Sequence, residues 1–265
     1  MPFVSLNNVN YYYEQHGNGP ETIVLAHGLL WSGMMFHKQV AHLKDTYRVI
    51  TYDHRGQGQT EITDTGYDMD TLYKDAVALI EKLVGEPVIF GGLSMGGFVG
   101  MRLAARRPDL IKKLILMETT AEPEPKENQP KYRFLNTIVK WFGVAPVVNP
   151  VLKIMFGQKF LKDPKRAEER KFWVSQLKKN RPQGITKAVN GVIERHGVAD
   201  EICQIVCPTL ILVGSQDTAT VPAKSERIHA LIKDSRLVII EGGGHTASVE
   251  EPDAYNREIA AFLRE

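Results

Sequence analysis

The sequence predicts an α/β fold: a mostly parallel sheet of about eight strands with crossover helices and an inserted helical cap. Three observations predict it. Short apolar, β-rich runs alternate with longer segments of helical period. That rhythm breaks between residues 121 and 200 and then resumes. The 265 residues, 43% hydrophobic and 24% charged, suit one large domain carrying an insertion and exclude disordered, collagen-like and disulfide-scaffold classes.

The elements follow in order. Residues 3–6 and 9–14, separated by Asn7 and Asn8, read as an antiparallel hairpin at one edge. Strands are expected at 22–26 (TIVLA), 48–52 (RVITY), 88–90 (VIF), 114–117 (LILM), 209–213 (TLILV) and 237–240 (LVII). Each is nearly continuous in apolar character, as strands covered on both faces are. Between them, residues 69–84 place Leu72, Ala76, Leu79, Ile80 and Leu83 at three- and four-residue steps, one face of a helix. Residues 226–232 and 253–263 are amphipathic in the same way.

The core is therefore expected at 1–120 and 201–265, with the helical cap at 121–200. The cap begins with a proline-rich, charged linker at 122–130 (EPEPKENQP) and then carries Phe134, Trp141, Phe142, Phe156, Phe160, Phe172 and Trp173. These aromatics either pack the cap onto the body or help to line a pocket of apolar bulk. Residues 121–200 hold 16 basic and 8 acidic side chains, net +8, against 17 and 23, net −6, elsewhere. A solvated helical face explains that excess more simply than the steering of an anionic substrate.

The charge balance of the whole chain, 33 basic against 31 acidic residues, gives no field that would attract nucleic acid. No apolar run reaches the roughly 18 to 20 residues that span a bilayer. The first residues lack a signal-peptide pattern, so a cytoplasmic location without membrane insertion is expected. Cys203 and Cys207 form a C-x-x-x-C pair that fits neither a zinc site nor a redox motif, and they read as small buried hydrophobes. Neither a metal nor a nucleotide cofactor is expected, because no H-E-x-x-H cluster, P-loop lysine or G-x-G-x-x-G phosphate turn occurs.

The chemistry centres on Gly92-Leu93-Ser94-Met95-Gly96, which follows one expected strand and precedes the helical run 98–106. A serine on such a strand-to-helix turn has a strained backbone and an exposed hydroxyl, and the helix start behind it suits a developing oxyanion. Serine needs a base. His245, in Glu241-Gly242-Gly243-Gly244-His245, follows the strand at 237–240 at the sheet edge where α/β proteins bind ligands. The base needs an orienting acid. Asp217, after the strand at 209–213, is favoured over Glu118 on the same edge because it lies one crossover before His245. In His27-Gly28-Leu29-Leu30-Trp31, the Leu29 N–H can join the Met95 N–H as an oxyanion hole, and Trp31 can either wall the acyl pocket or simply pack.

This set resembles the α/β-hydrolase fold superfamily, serine-nucleophile branch, over essentially the whole chain. The resemblance rests on the order Ser94, Asp217, His245, on His27-Gly28, on the insertion after the strand ending near Met117, and on Asp53-His54-Arg55-Gly56-Gln57-Gly58. The last is similar to the family's D-x-R-G-x-G turn, a structural feature that leaves Asp53 and Arg55 outside the catalytic set. Around Ser94-Met95-Gly96-Gly97 the chain is similar to small carboxylesterases, enol-lactonases and cofactor-free perhydrolases, and also to carbon–carbon bond hydrolases. The serine argues against dehalogenases and epoxide hydrolases, which use an aspartate there. The stretch after His27-Gly28 lacks the Gly-Pro-Gly of many carbon–carbon hydrolases.

The expected function is thus hydrolysis of a carboxylic ester or lactone of a small, partly apolar substrate, with water as the second reactant and the cap as a lid. A β-diketone hydrolase or a perhydrolase on the same triad is the alternative. A non-catalytic receptor with the same fold is less favoured, since every triad position is filled.

Overall fold

A computed structural model describes residues 2–265. The chain opens with β1 (Phe3–Leu6) and β2 (Val9–His16), an antiparallel hairpin turned by Asn7 and Asn8 at φ of 50° and 61°. Asparagine tolerates that left-handed region better than most residues. Then follow β3 (Thr22–Ala26), α1 (His37–Leu43), β4 (Arg48–Tyr52), α2 (Met69–Leu83), β5 (Val88–Leu93), α3 (Met95–Arg106) and β6 (Ile111–Met117). Five helices come next: α4 (Gln129–Phe142), α5 (Val148–Met155), α6 (Gln158–Lys162), α7 (Ala167–Lys178) and α8 (Pro182–Ile193). The chain closes with β7 (Thr209–Gly214), α9 (Pro222–Leu231), β8 (Ser235–Ile240), α10 (Ala247–Glu250) and α11 (Pro252–Leu263).

The eight strands form one sheet in the order β1-β2-β4-β3-β5-β6-β7-β8. β2 meets β4 antiparallel, and from β4 to β8 every pairing is parallel. The chain steps from β3 outward to β4 and then returns across β3 to β5. The carboxyl ends of β3 and β5 therefore open a crevice where such sheets bind ligands.

Strand residues alternate between two cores, as a period of two requires. Ile23, Leu25, Ile115 and Met117 pack with α1 and α11. Val24, Ala26, Leu114 and Leu116 pack with α2, α3 and α9. The apolar stripe predicted for α2 faces the second core, and Asp68 caps the helix by accepting the Thr71 N–H at 2.8 Å. Such a cap contributes about 1 kcal/mol. β8 departs from expectation: it is an edge strand with Ile239 exposed, and only Ile240 is fully buried.

The five helices between β6 and β7 continue the first core, since Val139, Val151, Phe156, Trp173 and Ile185 join its cluster. Their approach segment is fixed at both ends. Val198 donates to Ala121 O at 2.7 Å, and Arg195 pairs with Glu124 at 2.8 Å. Among the described residues no helix is long and apolar enough to cross a membrane. Cys203 and Cys207 are both free; Cys207 is buried as expected, and burial raises its thiol to about 11, but Cys203 is exposed.

Candidate active site

Ser94 links β5 to α3 at φ 52° and ψ −108°, a conformation L-residues rarely adopt. Neighbours hold it there. Its N–H donates to Met117 O at 2.8 Å, and its carbonyl accepts from the Phe98 N–H at 3.0 Å and the Thr119 hydroxyl at 2.9 Å. The turn closes only because Gly96 lacks a side chain, since a Cβ there would lie 2.0 Å from Ala26 O. The Met95 N–H begins α3 and has no intrahelical acceptor, as for any first-turn donor.

The loop after β8 brings His245 to this turn, and its Nε2 lies 2.9 Å from Ser94 Oγ. The loop after β7 brings Asp217, whose Oδ2 lies 2.9 Å from His245 Nδ1. A carboxylate only accepts, so Nδ1 carries the proton and Nε2 is left to accept from the Ser94 hydroxyl. Asp217 is itself held. Oδ1 accepts from the Ala219 and Thr220 N–H groups at 2.8 and 2.9 Å, and Oδ2 accepts from the Thr220 hydroxyl at 2.7 Å. Burial pushes the Asp217 carboxyl up, but His245 and these donors outweigh it and hold the group below its usual range. Ser94, Asp217 and His245 thus meet in one chain of hydrogen bonds.

Glu118 also reaches this edge but takes a different partner. Tyr255 Oη donates to its two oxygens at 2.8 and 2.7 Å, and it makes no hydrogen bond to His245. Burial, with the nearby charges of Asp217 and Glu250, pushes its carboxyl well above the usual range despite the Tyr255 hydroxyl. The neutral acid is favoured there.

The turn after β3 supplies the opposite wall. His27 is fully buried, with Nδ1 2.7 Å from Gly28 O while Nε2 accepts from the His54 N–H at 2.9 Å. Burial lowers its pKa, so a neutral ring braces the turn. Leu29 and Leu30 both line the cavity with Ser94, and Leu30 sits at φ 73°. Gln57 joins this turn to the Ser94 turn: its Oε1 accepts from the Leu30 N–H at 2.9 Å and its Nε2 points at Met95 Sδ, 3.7 Å away.

Above Ser94 and His245 lies an apolar cavity of about 140 Å³. Leu135 and Val139 of α4, Val151 and Met155 of α5, and Ile185 and Val189 of α8 form much of its wall. None of the seven phenylalanines and tryptophans singled out between 121 and 200 is among its lining residues. Phe156, Phe160 and Trp173 are buried in the core instead, and Trp141 and Phe142 are 71% and 75% exposed. Of the two roles left open for these seven aromatics, lining the cavity is taken mostly by aliphatic side chains instead, with Tyr132 and Phe98 the aromatic members of the wall. Trp31 is corrected in the same way. Its backbone N–H donates to Gly28 O at 3.2 Å, and its ring is not among the cavity's lining residues but lies edge-on to Trp173 and Phe156, 5.3 and 5.9 Å between centroids. It packs the five-helix insertion onto the body.

Three residues with structural claims on the site escaped the sequence reading: Thr220, Gln57 and Glu250. Gln57 lies inside the Asp53-to-Gly58 turn already singled out, and Thr220 is three residues past Asp217. Glu250 gives little local signal, because beside its near neighbours Gly244 and Thr246 it binds Gly157, 93 residues away. One oxygen accepts from Gly157 N–H, between α5 and α6, at 2.8 Å; the other accepts from Gly244 N–H at 3.0 Å and the Thr246 hydroxyl at 3.2 Å. Thr246 in turn donates to Met155 O at 2.9 Å. The loop carrying His245 is thereby tied to the insertion.

Burial raises the Glu250 carboxyl to about 7, against those donors, which lower it. The ordinary value is 4.5, so between that and about 7 the folded protein holds more protons than the unfolded chain. From this group stability falls as pH rises through that window and levels off above it. Melting temperatures of the wild type and Glu250→Gln, measured from about pH 5 to about pH 8, should diverge in slope only below about pH 7. Parallel curves would assign the slope to another carboxyl.

Comparison with known proteins agrees with this architecture. Solved structures similar to the chain include an enol-lactonase from Burkholderia xenovorans LB400, with a TM-score of 0.92 at 25% identity and complete coverage of both chains. A thermophilic esterase from Thermogutta terrifontis follows at 0.90 and 26% identity, covering 100% of this chain and 97% of that one. A relative from Rhizobium rhizogenes, provisionally named for carbamate hydrolysis, is 27% identical over 263 residues, 96% of this chain and 97% of its own. The family model for the alpha/beta hydrolase fold matches residues 21–252, and the chain belongs to that family.

Proposed function

We propose that this hydrolase cleaves a carboxylic ester or lactone of a small, partly apolar substrate through an acyl-enzyme on Ser94. The observation that carries the reading is the relay Ser94 Oγ–His245 Nε2 and His245 Nδ1–Asp217 Oδ2, each contact 2.9 Å, beneath an apolar cavity. Its similarity to an enol-lactonase and an esterase at full length supports the same class.

In this reading His245 Nε2 takes the hydroxyl proton as Ser94 Oγ attacks the carbonyl carbon. Asp217 holds the ring in the tautomer that can accept and stabilises the imidazolium that forms. The N–H groups of Met95 and Leu29 receive the oxyanion. His245 then returns the proton to the leaving alkoxide, and the acyl group stays on Ser94. A water deprotonated by the same nitrogen releases the acid and restores the serine. The five helices at 121–200 act as the cap, and their aliphatic wall receives the apolar part of the substrate. No metal or organic cofactor has a role in these steps.

The acyl-enzyme is the test. Rapid acid quench during turnover of 4-nitrophenyl acetate should yield a peptide acetylated on Ser94, read by mass spectrometry. Turnover with acetyl found on another residue, or with none found at any quench time, would overturn the reading.

A further inference from the structure

Away from Ser94 and His245 the cavity wall is mostly aliphatic, and its only acid–base pair is Glu124 with Arg195, which line it near Tyr132. The two charged side chains are 10% and 3% exposed, and Arg195 Nη1 donates to Glu124 Oε2 at 2.8 Å. Two further donors are committed: Nη1 also donates to Val192 O at 2.8 Å, and Nε donates to Glu122 O at 3.2 Å, while the charge itself is paired with Glu124. Its carbon lies 4.4 Å from the centroid of the Phe98 ring. Phe98 stands one helical turn after Ser94, and both line the same cavity as this cation. Among the described residues lining the cavity Arg195 is the only lysine or arginine, and a carboxylate already balances it.

We propose that the Glu124–Arg195 pair selects the charge class of the substrate, so that the ester or lactone attacked by Ser94 is electrically neutral and acyl groups ending in a carboxylate are rejected. The inference rests on the preceding reading of Ser94 and narrows it. An anion entering a small apolar cavity loses its water and needs a cation in return. Here the one guanidinium gives its charge to Glu124, and Glu124 repels a second carboxylate. A neutral hydrocarbon chain has no such demand and gains from leaving water. The pair also ties residue 124, at the start of the cap, to residue 195 at its end, which alone could account for its burial. A charge-dependent readout separates the two roles, because a purely structural clamp has no reason to distinguish esters by charge.

The experiment compares 4-nitrophenyl hexanoate with mono-4-nitrophenyl adipate, which has the same six-carbon chain ending in a carboxylate. The methyl ester of the adipate serves as a neutral control for size. In the wild type, kcat/KM for the two neutral esters should exceed that for the anion by about 100-fold or more, mainly through KM. In Glu124→Gln the guanidinium is uncompensated, and the neutral-to-anionic ratio should shrink by about tenfold or more. Adding Arg195→Met to that variant should restore the preference. Each ratio is taken within one preparation, so a smaller folded fraction cancels.

Wild-type hydrolysis of the anionic ester within about threefold of the neutral pair would overturn the proposal. So would a ratio left unchanged by Glu124→Gln. Absence of turnover for every ester, 4-nitrophenyl acetate included, would instead overturn the reading of Ser94 on which this one rests.

Discussion

Ser94→Ala is expected to lose about 10⁴- to 10⁶-fold in kcat toward 4-nitrophenyl acetate while keeping its fold. His245→Ala should lose a similar factor, and the double variant little more, if, as proposed, His245 and Ser94 act as one base–nucleophile unit. The fold should survive, since the turn is held through backbone groups. The Ser94 N–H bond to Met117 O and the Thr119 hydroxyl bond to Ser94 O do not involve Oγ. Alanine inherits the same backbone strain at φ 52° but adds none. Melting temperature should therefore shift by only a few degrees, and a fluorophosphonate probe that labels the wild type should leave the variant unlabelled. A folded Ser94→Ala protein that retains activity within about tenfold of wild type would remove Ser94 from the reaction.

The parts of this molecule that could be read from sequence are those that rest on local pattern. The β-rich runs became strands because continuous apolar character suits a sheet buried on both faces, and Thr22–Ala26 and Arg48–Tyr52 have the expected ends. The Ser94 turn was legible because its glycines answer a steric demand within one strand-turn-helix unit. Strand ends were less so. β5 runs through Gly91 and Gly92 to Leu93, which composition alone would exclude, because flanking β3 and β6 supply its ladder.

The five-helix insertion resisted reading for a different reason. Its helices present one face to the cavity, one to the core and one to solvent, and aromatic content does not say which is which. Tyr132, Leu135 and Val139 of α4 line the cavity while Phe134 and Trp141 of the same helix face water. The acidic linker at 122–130 likewise contains Glu124, whose burial depends on Arg195, 71 residues away. Trp31 was misplaced because the turn at Leu30, with its positive φ, redirects the chain just before it. Glu250 illustrates the same limit: its role exists only where the His245 loop meets the α5–α6 junction.

Asp217→Asn is the second large effect, and its meaning depends on the contrast with Glu118→Gln. The asparagine keeps the shape, and its side-chain oxygen can still accept from the N–H groups of Ala219 and Thr220. Its amide then points hydrogens at His245 Nδ1, where the carboxylate oxygen stood 2.9 Å away. The ring must carry its proton on Nε2 instead, and that nitrogen can no longer accept from Ser94. kcat toward 4-nitrophenyl acetate should fall about 10³- to 10⁴-fold at neutral pH with little change in melting temperature. Glu118 predicts otherwise. Burial already favours its neutral form, and the Tyr255 hydroxyl can donate to an amide oxygen as it does to the acid. Glu118→Gln should therefore change kcat by less than about fivefold, since a neutral amide replaces a neutral acid. Should the two losses come out reversed, Glu118 would become the orienting acid, and the 2.9 Å contact of Asp217 with His245 would be a packing contact without catalytic weight.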